Sequence, residues 1–190
     1  MIGALQALSA TYNRAHARRP LTTSMALGAV IAGTGDVVCQ YQEKGSLLTS
    51  GALDGRRVAE LSLTRALVMA PFLYVYFPLL ARLIPGDSWA RVLTRVVADT
   101  AIGAPVSLCI IFAGTSTLKG RPQDTLSRIQ DRLLPTWYLG AHYWPFIHIL
   151  NFKVVPPGHQ GLVAHFASVW WMIQISAASN KRLVDSPPPE

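Results

Sequence analysis

Thr100 to Leu118 reads TAIGAPVSLCIIFAGTSTL, a run with no Asp, Glu, Lys or Arg. A helix that crosses a membrane needs about 20 mostly apolar residues. This run comes within a residue of that length, so it reads as a span. Four more charge-free runs flank it: Pro20 to Gly35, Ala66 to Ala81 (ALVMAPFLYVYFPLLA), Leu133 to Phe152 and Val154 to Asn180. The last two also reach span length unaided. The first two reach it only by including Asp36 and Arg65.

The composition agrees. Of 190 residues, 51% are hydrophobic and only 14% are charged, against about 25% charged in soluble domains. The mean hydropathy is +0.30. Disordered chains are rich in charge and poor in apolar residues, so that class is excluded. Two cysteines, Cys39 and Cys109, exclude a secreted disulfide scaffold. The net charge of +7 arises from Lys and Arg that punctuate the apolar runs, without the clustering on one face that nucleic-acid binders show. Basic loops beside apolar runs suit anionic lipid headgroups. The expected partners are therefore membrane lipids and not nucleic acid.

The expected architecture is an all-α, polytopic membrane protein with four firm transmembrane helices and one further uncertain or interfacial helix. The fourth run is the uncertain one. It holds Trp137, Tyr138, His142, Tyr143, Trp144, Pro145 and His148; Trp and Tyr favour the membrane–water boundary, and proline interrupts the backbone ladder. One helical membrane domain, 1–184, precedes a short Pro-rich tail, 185–190 (DSPPPE). Four spans would leave eight Lys and Arg on each side of the membrane, so the positive-inside rule assigns no orientation. The start, MIGALQALSATYNRAHARRPLTTS (1–24), carries three Arg, all within the basic segment 1–19, and several Ser/Thr, and no acid precedes Asp36. Mitochondrial targeting regions have this character; an amphipathic helix lying at the interface has it too.

Three ionisable residues fall inside or at the edge of apolar runs: Asp36, Arg65 and Asp99. Each costs about 2.5–3.5 kcal/mol on insertion unless it pairs or reaches water. Two readings stay open. The three line a polar pathway through the bundle, or Arg65 forms a structural ion pair with Asp36 or Asp99. Gly28, Ala29, Ala32, Gly33 and Gly35 in the first run, and Gly103, Ala104 and Ser107 in the third, permit close helix approach. Pro71, Pro78, Pro105, Pro145, Pro156 and Pro157 mark the later spans as kinked or broken. His142, His148, His159 and His165 lack the spacing of a metal site, so no metal or cofactor is expected. No paired carboxylates, P-loop or nucleophile elbow accompany them, and no catalysis is expected.

The segment from Trp144, WPFIHILNFKVVPPGHQGLVAHFASVWWMIQIS, resembles the signature of the peroxisomal membrane protein / Mpv family of small organellar membrane proteins. Trp144-Pro145, Asn151-Phe152, Val155-Pro156, Trp171 and Ser176 carry the likeness. Gly35-Asp36 with Gln40, Arg65 with Pro71, Ile84-Pro85-Gly86, and Asp99 with Pro105 extend it from roughly Leu5 to Lys181. The chain departs from the family pattern at Thr100, His148 and Gln160 and in the Ala70-Pro71 segment. The resemblance implies four spans and residence in the mitochondrial inner membrane, with the peroxisomal membrane as the alternative. It also implies a channel-like role in passing ions or small metabolites and in membrane homeostasis, the mitochondrial branch being linked to mitochondrial DNA maintenance. The competing expectation is a non-catalytic accessory subunit of a larger mitochondrial membrane complex, with other membrane subunits as partners.

Overall fold

The computed structural model describes residues 2–44, 53–86, 88–154 and 157–180, all of them helix or short connection. α1 (Ile2–Arg18) is followed after one residue by α2 (Pro20–Lys44). α3 (Gly55–Leu63) and α4 (Ala70–Leu83) are joined by a π-helical turn, Thr64–Met69. α5 (Trp89–Ala98) and α6 (Ala104–Leu118) are joined in the same way by Asp99–Gly103. A short 3-10 turn, Pro122–Asp124, leads to α7 (Thr125–Val154), and α8 (Pro157–Asn180) closes the bundle.

The two π turns have one cause. A proline has no N–H to donate, and its ring crowds the carbonyl four residues back. Pro71 and Pro105 both sit at the start of a helical segment, and the turn before each is widened. The Ala70 N–H bonds the carbonyl of Arg65, and the Ala104 N–H bonds that of Asp99, five residues back in each case. The expected breaks at these prolines are thus wide turns within continuous helices. Each carries a charge near its start: Arg65 is the second residue of one turn, and Asp99 is the first residue of the other.

Three helical stretches among the described residues are long and apolar enough to cross a membrane: Pro20–Lys44, Gly55–Leu83 and Trp89–Leu118. The first two extend well beyond their apolar runs and take in Glu43, Arg56, Arg57 and Glu60. The fourth run lies in α7, which continues through Pro135 and Pro145. α7 runs antiparallel to α8. Arg128 Nη1 donates to the Ser179 carbonyl at 2.6 Å, Trp171 covers Gly140, and the Tyr143 hydroxyl donates to the Ala167 carbonyl at 2.8 Å. Pro156 and the side chains of Asn151 and Phe152, part of the resemblance, lie outside the described residues, as does the 185–190 tail.

A core of Ile31, Leu61, Phe112, Met172 and Ile175 fills the middle of the bundle. Its outer surface is apolar as well: Val75, Val97, Ile102 and Phe146 are each about two-thirds exposed. In water such a surface would drive aggregation; in lipid it costs nothing.

Candidate functional site

The three charges expected to act together are divided between two places. Register explains the division. α2 runs antiparallel to the α3–α4 stretch, with Asp36 against Arg57, Gly33 against Val58 and Ser62, and Gly28 against Arg65. Arg65 therefore lies eight residues, about 12 Å of helix rise, from the level of Asp36. The partner of Asp36 is Arg57, and the expected pairing with Arg65 does not form.

The Asp36 cluster ties together the ends of α2 and α8 and the beginning of α3. Asp54 is the N-cap of α3, its carboxylate accepting from the Arg57 N–H at 3.0 Å. A short polar side chain at that position satisfies the open amides of the first turn. The cap fixes the start of α3, and Arg57 reaches α2 from it. Its Nε donates to Asp36 Oδ1 at 2.7 Å. Its two terminal nitrogens reach the Glu43 carboxylate at 2.6 and 3.1 Å. Nη2 also donates to Ser176 Oγ at 2.9 Å and contacts Cys39 Sγ at 3.4 Å. The Ser176 hydroxyl donates in turn to Asp36 Oδ1. Gln40 Nε2 donates to Asp36 Oδ2 at 2.8 Å and to the Asp54 carbonyl at 3.0 Å. Gln40 Oε1 accepts from the Asp54 N–H at 2.8 Å. Asp36, Gln40 and Ser176 are all wholly buried. The Asp36 carboxylate is hydrogen-bonded on both oxygens and closed to solvent, while Glu43 holds the outer side of the Arg57 guanidinium from a partly exposed position.

Glycine makes this packing feasible. A Cβ on Gly35 would stand 2.6 Å from Met172 Cβ and 2.9 Å from the Met172 backbone, so α2 and α8 approach there as close as a hydrogen side chain allows.

Arg65 and Asp99 line a different feature, a cavity of about 880 Å³. Its walls come from α2, α4, α6, α7 and α8. Ser24, Gly28, Ala164 and Arg82 set it toward the end of the bundle opposite the Asp36 cluster. Asp99 accepts a hydrogen bond from the Tyr76 hydroxyl and has His148 as an electrostatic neighbour. Tyr76 and Asp99 meet over Gly103, where any Cβ would collide with both. Trp137 donates its indole N–H to the Thr100 carbonyl at 2.7 Å, in the same π turn. Arg65 differs: its Nε is buried with no hydrogen-bond partner among the described residues.

The basic start contributes to this cavity too. As α1 it packs on α2 and α8. Tyr12 stacks edge-on against His165, its hydroxyl 3.2 Å from His165 Nε2. His16 and His165 then line the cavity beside Arg65.

The remaining residues that carry the resemblance divide in the same way. Gly35, Gln40 and Ser176 belong to the closed cluster. Trp144 and Trp171 line the cavity. Pro71 and Pro105 set the π turns, and Pro145 lies inside α7. Sequence reasoning missed Arg57, which it left in a loop, although the Asp54-Gly55-Arg56-Arg57 start is a readable N-cap signal. It also missed Tyr76, and it left His16 and His165 without a place by the cavity.

No solved structure matches the chain. The family model described as Mpv17 / PMP22 family matches residues 116–176. The "Mpv17-like protein" of Bos taurus is 30% identical over 75% of this chain and 69% of its own length. The "Mitochondrial inner membrane protein Mpv17" of Caenorhabditis briggsae is 26% identical, covering 93% of this chain and 96% of its own. "Protein SYM1" of Saccharomyces cerevisiae is 27% identical over 90% and 89%. With its helices, its charge-poor surface and these relatives agreeing, the chain belongs to the Mpv17 / PMP22 family and is a protein of the mitochondrial inner membrane.

Proposed function

We propose that the chain is a non-catalytic, channel-like protein that passes ions or small metabolites across its membrane, and that this structure corresponds to its closed form. The cavity of about 880 Å³ reaching Arg65 and Asp99 carries this reading. Polar and ionisable groups within a bundle mark solute pathways, and here two of them lie in the first two positions of wide turns. The path toward the Asp36 end is stopped by Phe112, Met172 and Ile175, each at most 1% exposed. Met172 lines the cavity floor, and Ser176 of the closed cluster stands one helical turn beyond it. Hydrophobic constrictions of this kind gate by excluding water.

In this reading α2, α3–α4, α5–α6 and α8 are the four expected spans. α7, antiparallel to α8 from Arg128 to Tyr143, suits a further crossing that completes the cavity wall.

Conductance of the purified protein in planar bilayers tests the proposal. Met172→Ala should raise conductance by thinning the constriction. Arg65→Gln should shift selectivity toward cations, and Asp99→Asn toward anions. Folded protein that is silent in the parent and in all three variants would overturn it.

A further inference from the structure

Two charged side chains of the cavity differ in how they are satisfied. Asp99 holds the Tyr76 hydroxyl and has His148 beside it. Arg65 Nε has no partner among the described residues, though it is buried. A buried guanidinium nitrogen without an acceptor is costly, and the natural acceptor is an anion on the cavity side. The neighbours point the same way. Gly28 gives the Arg65 side chain its room, since a Cβ there would sit 3.2 Å from Arg65 Cγ. Ser24, His16 and His165 line the cavity near it, and none of them is acidic.

The rest of the cavity is apolar and large. Its α4 wall carries Tyr74, Val75, Phe77 and Leu79, which are 47% to 65% exposed and so also face the lipid. Opposite them stand Leu108, Ile111 and Trp137. A volume of about 880 Å³ lies within the ~300–1,000 Å³ of sites that enclose whole small molecules. A small hydrated ion has no use for so much apolar wall, whereas an aliphatic chain does.

We propose that the cavity binds a single-chain amphipathic anion, its carboxylate or phosphate held on the Arg65 guanidinium and its chain lying along the α4 wall. This rests on the pathway reading and names its substrate class. Arginine is suited to the head group because its planar fork takes a carboxylate or phosphate through two parallel hydrogen bonds. The same chemistry is offered by a free long-chain carboxylate and by the head group of a single-chain phospholipid in the bilayer.

Trp137, Trp144 and Trp171 line the cavity and serve as reporters. The protein in zwitterionic nanodiscs is titrated with stearate carrying a nitroxide at mid-chain, which quenches nearby tryptophan. A second series uses lysophosphatidylglycerol with the same label, and a third uses the uncharged methyl ester of the labelled stearate. Saturable quenching is expected from at least one anion and none from the ester. The anion that saturates identifies the source. Arg65→Gln should weaken that binding about tenfold or more, and Arg65→Lys should fall between. Ser107→Leu fills the cavity while leaving Arg65 in place; it should weaken binding as well, and it decides the matter if Arg65→Gln does not fold. Quenching that is unsaturable for both anions, or equal in the parent, Arg65→Gln and Ser107→Leu proteins, would overturn the proposal. The bilayer recordings are separate: saturable, Arg65-dependent quenching in a protein that never conducts would sustain this site and sink the channel.

Discussion

Asp36→Asn is the sharpest test of the closed cluster because asparagine keeps the shape of aspartate and changes only its hydrogen-bond pattern. Asp36 accepts on both oxygens. Oδ2 takes Gln40 Nε2, and Oδ1 takes both Arg57 Nε and the Ser176 hydroxyl. An asparagine has one accepting oxygen and one donating NH₂, so in either rotamer the NH₂ meets a donor. Turned toward Arg57, it meets a group that cannot accept. Turned toward Gln40, it needs that amide to flip, but Gln40 is fixed by its paired bonds to the Asp54 backbone at 2.8 and 3.0 Å. Removing one member of a buried ion pair costs about 3–5 kcal/mol. Arg57 keeps Glu43, whose side chain is 41% exposed, so the loss should be near about 3 kcal/mol, the lower bound of that range. Ser176→Ala deletes one of three donors to the carboxylate and should cost about 1.5 kcal/mol. Glu43→Gln loosens a half-exposed pair and should cost less than about 1 kcal/mol. Unfolding in mixed micelles with rising dodecyl sulfate, followed by tryptophan fluorescence, measures all three. If Glu43→Gln costs as much as Asp36→Asn, or if Asp36→Asn stays within about 0.5 kcal/mol of the parent, the cluster is not the fastening described here.

Gly35→Ala should destabilise the bundle by about 1–3 kcal/mol, because the added methyl would lie 2.6 Å from Met172 Cβ; the same unfolding titration measures it, and an unchanged midpoint would mean that α2 and α8 are not in contact there. Lys119 follows the last residue of the third span, donating to the Ser179 carbonyl and to Asn180 Oδ1. Burial, with Arg128 adding repulsion, pushes its pKa down to about 8. The unfolded chain then holds more protons than the folded one between about pH 8 and lysine's ordinary value of about 10.4, so stability should rise with pH across that window. Lys119→Met should remove the rise, read from midpoints at the two ends of the window.

What the sequence yields, and what it withholds, follows from the range of the interactions. Thr100 to Leu118 is legible because a charge-free run of that length has one low-energy home. The π turns were legible in principle: Arg65 and Asp99 each stand six residues before a proline, and the proline ring forces the widening. Arg57 escaped because hydropathy places it outside the second apolar run, whereas the helix starts about three turns before that run, at the Asp54 cap. The choice between Arg57 and Arg65 as the partner of Asp36 depends on the antiparallel register of two helices, which close approach at Gly28 and Gly33 sets. A list of small residues indicates that helices can touch and does not fix which turns meet.

Burial and pairing, more than charge alone, separate the two roles that intramembrane ionisable residues play here. Asp36 is wholly buried with both oxygens hydrogen-bonded, and that is the profile of a fastening: its removal should be felt in stability, and a solute has no route to it. Arg65 is partly buried, its Nε enclosed with no acceptor among the described residues and a cavity before it, which is the profile of a binding group: its removal relieves a local cost and should be felt in what the cavity holds. Asp99 stands between these, hydrogen-bonded by Tyr76 yet on the same wall as Arg65. The consequence is an ordering that stability and binding measurements can test jointly. Asp36→Asn should be costly to the fold, Arg65→Gln near-neutral or stabilising to the empty protein, and Asp99→Asn intermediate. A large loss of stability in Arg65→Gln would mean that the guanidinium is already satisfied in the folded chain, and the case for a ligand upon it would fall with that result.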